Sequence, residues 1–145
     1  MKIIFVCTGN TCRSPMAEAM AKALFEKDKI EAEAESRGLF AQVGEPASDY
    51  AILAMNNYGI NLENHRAKQI SSKDINEADL ILTMTRAHKE ILEKICPSDK
   101  LYTLMEFSIG QPGDISDPYG QSPSVYIDCA DEIGECIKKL TDKIK

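Results

Sequence analysis

The sequence predicts an α/β fold, an open parallel sheet with helices on both faces, from three features. Short β-rich runs at residues 3–6 and 80–82 are continuously apolar, as expected of strands buried on both faces. Segments with apolar residues spaced by three and four follow them, and clusters of Gly, Pro, Asn and Asp separate the two kinds. Strands alternating with helices imply parallel pairing through right-handed crossovers.

The elements follow in order. Residues 2–7 form a first strand, and the loop after it leads to Ser14, placed to cap a helix with Pro15 at its first position. Met16, Ala19, Met20, Ala23, Leu24 and Lys27 mark one face of that helix. Residues 31–36 alternate weakly and predict a second strand, followed by a loop holding Gly38, Phe40, Gly44 and Pro46. Ser48 opens a helix through Ala51, Ile52 and Met55 that stops at Gly59. Residues 79–84 read as a third strand, and His88, Ile91, Leu92 and Ile95 space out a helix that Pro97 ends. Residues 100–104 are a fourth, short strand. Residues 110–120 are dense in turn formers and predict a loop. Tyr126, Ala130, Ile133, Ile137, Leu140 and Ile144 give a C-terminal amphipathic helix.

Composition narrows the classes. A chain of 145 residues, 43% hydrophobic, predicts one domain over residues 1–145 with no linker. The N-terminal apolar run is too short for a signal peptide, and no stretch approaches the ~18 apolar residues of a membrane span. Five cysteines form no C-x-x-C pair, so neither a disulfide framework nor a zinc site is expected, and a reducing, cytoplasmic setting is. A net charge of −6 argues against a nucleic-acid surface but leaves room for a local anion site built from backbone amides.

The loop after the first strand is such a site. Cys7, Thr8, Gly9, Asn10, Thr11, Cys12, Arg13 and Ser14 place a cysteine and an arginine six positions apart between a strand and a helix. Successive N–H groups in this turn can point inward as a nest, with the positive end of the helix dipole behind them. Arg13 can clamp two phosphoryl oxygens, and the same positive field favours the thiolate of Cys7, the attacking form. Gly9 is placed to permit a positive φ, and Ser14 can donate to the sulfur. Cys7 could instead be a buried strand residue and Arg13 a surface charge, but the glycine turn and the Ser-Pro helix start argue for the site. A Walker A loop is excluded, because there is no lysine and no second glycine.

The run from Val6 to Glu18 resembles the signature of the low-molecular-weight protein tyrosine phosphatase family, and Asp117-Pro118-Tyr119-Gly120 resembles its acid loop. The resemblance extends from the first strand to the last helix and is specific in these two motifs. It implies a flavodoxin-like three-layer fold with a four-stranded parallel sheet, no metal, no cofactor and a cysteinyl-phosphate intermediate. A phosphorylated protein is then the expected partner, while the acidic net charge and the lack of a membrane-length apolar stretch predict no nucleic acid and no membrane. The sequence leaves the oligomeric state open, a monomer being expected.

Cleaving a P–O or P–N bond needs a proton donor on the leaving side. By composition Asp114 and Asp117 are nearly equal candidates in one turn-rich loop, and the resemblance selects Asp117 because the family's acid directly precedes proline. The residues matching Asn10, Ser14, Ser36 and His65 form a loop-supporting hydrogen-bond network in the family. Arg37 stands where the family usually has alanine, and solvent is its expected place. Phe40 and Tyr119 would be aromatic walls by the same resemblance. The family's counterpart of Cys12 can pair with the nucleophile on oxidation, while Cys96, Cys129 and Cys136 are expected to be structural.

Two other functions carry less weight. An arsenate reductase needs further cysteines after the third strand, and none appears before Cys96. A phosphate-binding module would need the nest but not Cys7, Arg13 and Asp117 together. Among the phosphatases, tyrosine-specific members usually have an aliphatic residue at the position of Thr11 and two adjacent aromatics after Asp-Pro. Thr11 and the single Tyr119 resemble the protein arginine phosphatase branch, with protein phosphotyrosine as the alternative substrate.

Overall fold

The computed structural model describes residues 1–145. Four parallel strands lie in the order β2-β1-β3-β4, with β1 at Lys2–Cys7, β2 at Glu33–Gly38, β3 at Leu80–Thr83 and β4 at Leu101–Thr103. The helices are α1 (Arg13–Lys27), α2 (Asp49–Asn56), α3 (Ser72–Glu77), α4 (Arg86–Leu92), α5 (Leu104–Ile109) and α6 (Pro123–Ile144), with a 3-10 turn at Ser98–Lys100.

Strand β1 is interior to the sheet, and its side chains alternate between two cores. Ile3, Phe5 and Cys7 join Met16, Met20, Ile133 and Ile137 on the side of α1 and α6. Ile4 and Val6 join Ile75, Ile81 and Leu92 on the side of α3 and α4. That is the three-layer arrangement, and it explains why residues 3–6 are apolar without interruption. Each of those four side chains is 0% exposed, and burial of each contributes ~1.5–3 kcal/mol. Edge strand β2 alternates instead, with Ala34 and Ser36 buried and Glu33 exposed.

The expected elements recur with shifted bounds. Strand β2 begins and ends two residues later than residues 31–36, because its pairing with β1 runs from Lys2 opposite Glu33 to Cys7 opposite Gly38. Gly38 is required there, since a Cβ would stand 2.7 Å from the Thr8 carbonyl. Helix α4 stops at Leu92, short of Pro97, and Ile91 and Ile95 are exposed rather than part of a buried stripe. Two short helices escaped the periodicity: α3, capped by Ser71 and Asp74, and α5, capped by Thr103 and Glu106. Both are capping boxes on helices too short to show an apolar face. No helix is long and apolar enough to cross a membrane.

Candidate active site

The 8–12 loop lies between the carboxyl end of β1 and the start of α1, at the carboxyl edge of the sheet where ligands bind in such folds. Its carbonyls are held from outside. Those of Cys7, Thr8 and Thr11 accept from the N–H groups of Leu39, Phe40 and Ser48 at 3.0, 2.9 and 3.0 Å. The Asn10 carbonyl accepts from His65 Nε2 at 2.7 Å. No N–H of residues 8–12 is donated within the protein, so those donors remain for an anion. The positive φ falls on Asn10, at 59°, not on Gly9, where the sequence placed it. Asparagine tolerates this region among non-glycine residues, and here its side chain is fully used.

That side chain organises the groups around Cys7. Asn10 Nδ2 donates to Ser14 Oγ at 2.8 Å and to Ser36 Oγ at 2.9 Å, and Asn10 Oδ1 accepts from the Lys68 N–H at 2.9 Å. Each serine oxygen thus accepts from the amide, and its own proton is available elsewhere. Ser36 donates to Glu18 Oε1 at 2.5 Å. Ser14 lies 2.9 Å from Cys7 Sγ, where its hydroxyl can donate to a thiolate. Asn10 and Ser14 are 0% exposed, so the orientation is shielded from water. Ser14 does not cap α1 as its sequence position suggested: the helix starts at Arg13, Cys12 is its N-cap, and no side chain caps it. The hydroxyl is engaged at the sulfur instead.

Arg13 is buried and fixed. Its Nη1 donates to the Ile115 carbonyl at 2.9 Å, and its Nη2 stands 3.6 Å from Asp117 Oδ2. Asp114 faces elsewhere, its Oδ1 accepting from the Arg86 N–H at 2.9 Å at the start of α4. Cys7, Thr8, Gly9, Thr11, Cys12, Arg13, Asp117 and Tyr119 together line a cavity of about 220 Å³. The Phe40 ring is 71% exposed and is not among the lining residues, although its N–H holds the loop. Arg37 does not face solvent. It pairs with Asp74 at 3.0 Å and Glu35 at 3.1 Å and donates to the Ser36 carbonyl, bracing β2 beside the network.

All five cysteines are free and buried. Burial pushes the Cys129 thiol up to about 12 and raises those of Cys96 and Cys136, which suits inert packing groups. Cys12 Sγ lies 3.3 Å from Ser48 Oγ and 3.8 Å from Tyr126 Oη. Two participants were not singled out in the sequence. Glu18 sits four residues after Ser14, a helical spacing that could have marked it. His88 bonds Thr8 Oγ1 at 2.9 Å, and its position three residues after Thr85, as part of a helix cap, was the available sign.

The profile described as low molecular weight phosphotyrosine protein phosphatase matches residues 2–145. The chain is 40% identical to a Bacillus subtilis protein named protein-arginine-phosphatase, over 100% of this chain and 97% of that one. It superposes with a TM-score of 0.95 on a YwlE arginine phosphatase mutant with a phosphorylated active-site serine, at 38% identity and covering 99% of this chain and 95% of that one. A low molecular weight protein tyrosine phosphatase from T. tengcongensis gives a TM-score of 0.95 at 44% identity, with 99% of each chain covered. A full-length match of this kind, with a cysteine and an arginine at the two ends of an anion nest, places the chain in the low molecular weight phosphotyrosine protein phosphatase family.

Proposed function

We propose that the chain is a cysteine-dependent phosphatase that hydrolyses phosphoarginine in proteins through a phosphocysteine intermediate. The undonated N–H groups of the loop and the Arg13 guanidinium receive the three nonbridging oxygens of the phosphoryl group. The Cys7 thiolate attacks phosphorus as the bond to the guanidine nitrogen breaks, and the Asp117 carboxyl gives its proton to that nitrogen. Water then attacks the phosphocysteine, Asp117 takes the proton back, and Ser14 donates to the departing sulfur, which returns as thiolate. Phosphate leaves, and no electron or proton is left over.

The observation that carries the arginine assignment is Thr11. It lines the cavity with Asp117 and Tyr119, and its hydroxyl has one side-chain polar contact in the protein, Cys12 Sγ at 3.8 Å. A phosphoguanidine brings N–H donors to this rim, and each one buried without an acceptor costs ~1–3 kcal/mol. An aliphatic side chain would leave them unpaired, whereas the Thr11 hydroxyl accepts. The relative named an arginine phosphatase supports the same reading. Phosphotyrosine is the second reading, favoured by the exposed Tyr119 ring at the cavity, which could stack on an aromatic substrate. Kinetics on matched peptides decides between them. The wild type should prefer phosphoarginine, and Thr11→Ile should lose that activity and keep or gain activity on phosphotyrosine. A wild type that strongly favours phosphotyrosine, with a ratio unmoved by Thr11→Ile, overturns the arginine assignment.

The free thiols support work in a reducing compartment, the cytoplasm, and a cavity completed within one chain supports action as a monomer.

A further inference from the structure

Thr8 lines the cavity, and its hydroxyl is held by a residue eighty positions away: Thr8 Oγ1 stands 2.9 Å from Nε2 of His88. His88 is 6% exposed and belongs to the cap of α4, where its Nδ1 accepts from the Thr85 N–H at 3.3 Å. A neutral imidazole carries one N–H. With Nδ1 accepting, the proton sits on Nε2 and is donated to Thr8 Oγ1. Burial first, and the Arg13 charge second, push the ring's pKa down to about 4, against the opposing pull of Asp114 and Asp117, so the neutral form persists at neutral pH. The Thr8 hydroxyl proton therefore cannot serve the bond to His88 and is left for the cavity.

We propose that His88 is a positioning residue that fixes the Thr8 hydroxyl as a hydrogen-bond donor to a nonbridging phosphoryl oxygen. This rests on the phosphatase reading given above. The hydroxyl adds a side-chain donor to the loop's backbone nest on the face shared with Asp117, and the helix cap, through the tautomer it imposes, sets the direction of that donor.

Inorganic phosphate binding, measured by calorimetry on the full chain, tests the proposal without relying on turnover. Thr8→Val should weaken phosphate by about tenfold or more, the loss expected for a hydrogen bond to a charged group, and Thr8→Ser should recover most of it. His88→Asn places an oxygen near Nδ1, which can keep the cap, but is too short to reach Thr8, so it should weaken phosphate. His88→Gln, whose amide N–H reaches the Nε2 position, should restore binding. In the Thr8→Val background, His88→Asn should add nothing. A purely structural His88 would reverse the order, with asparagine the better replacement. That order, or losses that multiply in the double variant, overturns the proposal. Should His88→Asn fail to fold, unchanged phosphate affinity in Thr8→Val alone overturns it. A wild type that binds phosphate but does not hydrolyse p-nitrophenyl phosphate would sink the phosphatase reading, while the phosphate arms still judge Thr8 and His88.

Discussion

Replacing Asn10 tests the link between the loop's conformation and its chemistry. In Asn10→Ala the Lys68 N–H, a part-buried donor, loses its acceptor at 2.9 Å, a cost of ~1–3 kcal/mol. Holding alanine at a φ of 59° adds about 1–2 kcal/mol. The two serine hydroxyls lose the amide at 2.8 and 2.9 Å, each bond contributing ~0.5–1.5 kcal/mol. Together roughly 3–8 kcal/mol is lost, a large share of the ~5–15 kcal/mol that holds an ordinary domain folded. Asn10→Asp separates stability from orientation. It keeps an acceptor for Lys68 and a side chain suited to the left-handed region, so much of the backbone cost disappears. Its oxygens now accept from both serines, so the Ser14 proton is no longer left for Cys7 Sγ, 2.9 Å from the serine oxygen. A thiolate that loses such a donor loses ~1.5–3 kcal/mol, or about 10–100-fold in kcat. Urea unfolding and steady-state kinetics on p-nitrophenyl phosphate should therefore show a folded, slow Asn10→Asp, and Ser14→Ala should be similarly slow. Wild-type kcat in Asn10→Asp would refute the argument that the amide directs the Ser14 proton.

Cys7→Ser should abolish turnover while vanadate still binds, because the nest survives and a serine hydroxyl stays protonated; vanadate titration beside a turnover assay checks both. Asp117→Asn should lower kcat on a phosphoarginine peptide by about 10²–10⁴-fold and on p-nitrophenyl phosphate by less, since only the basic leaving group depends on the proton. Asp114→Asn should cost less than about 1 kcal/mol of stability, through the α4 start, and leave kcat nearly unchanged; the opposite ranking would assign the acid to Asp114. His88 makes stability pH-dependent. Its folded pKa, about 4, lies below the ordinary 6.5, so its contribution is complete above pH 6.5 and falls as pH drops toward 4, by at most ~3 kcal/mol. Urea unfolding of the wild type and His88→Gln at pH 7 and pH 4.5 should show the larger loss in the wild type.

Much of the fold was legible because its strongest signals are local. Residues 3–6 and 80–82 are apolar throughout, which only a sheet covered on both faces requires, and α6 repeats its buried positions over many turns. What escaped was short or set by partners. Helices α3 and α5 are too brief for a periodic face, and β2 starts where β1 pairs with it rather than where its own alternation begins. Arg37 looked like a solvated charge because Asp74, which pairs with it, is 37 positions away.

The site divides in the same way, by sequence separation. Cys7, Arg13 and the nest between them were legible because a strand, a tight turn and a helix start dictate that spacing within one contiguous run. The choice between Asp114 and Asp117 was not legible from composition, since both lie in one loop three residues apart. It depends on two contacts made across the fold. The Arg86 N–H at the start of α4 takes Asp114, and Arg13 stands 3.6 Å from Asp117 at the cavity. The first carboxylate ties the loop to a helix, which leaves the second, three residues on, lining the cavity. Asp114 bears on the proposed acid by being occupied: a loop anchored at Arg86 and through the Ile115 N–H to the Met84 carbonyl just after β3 holds Asp117 beside Arg13 at the cavity from a fixed base.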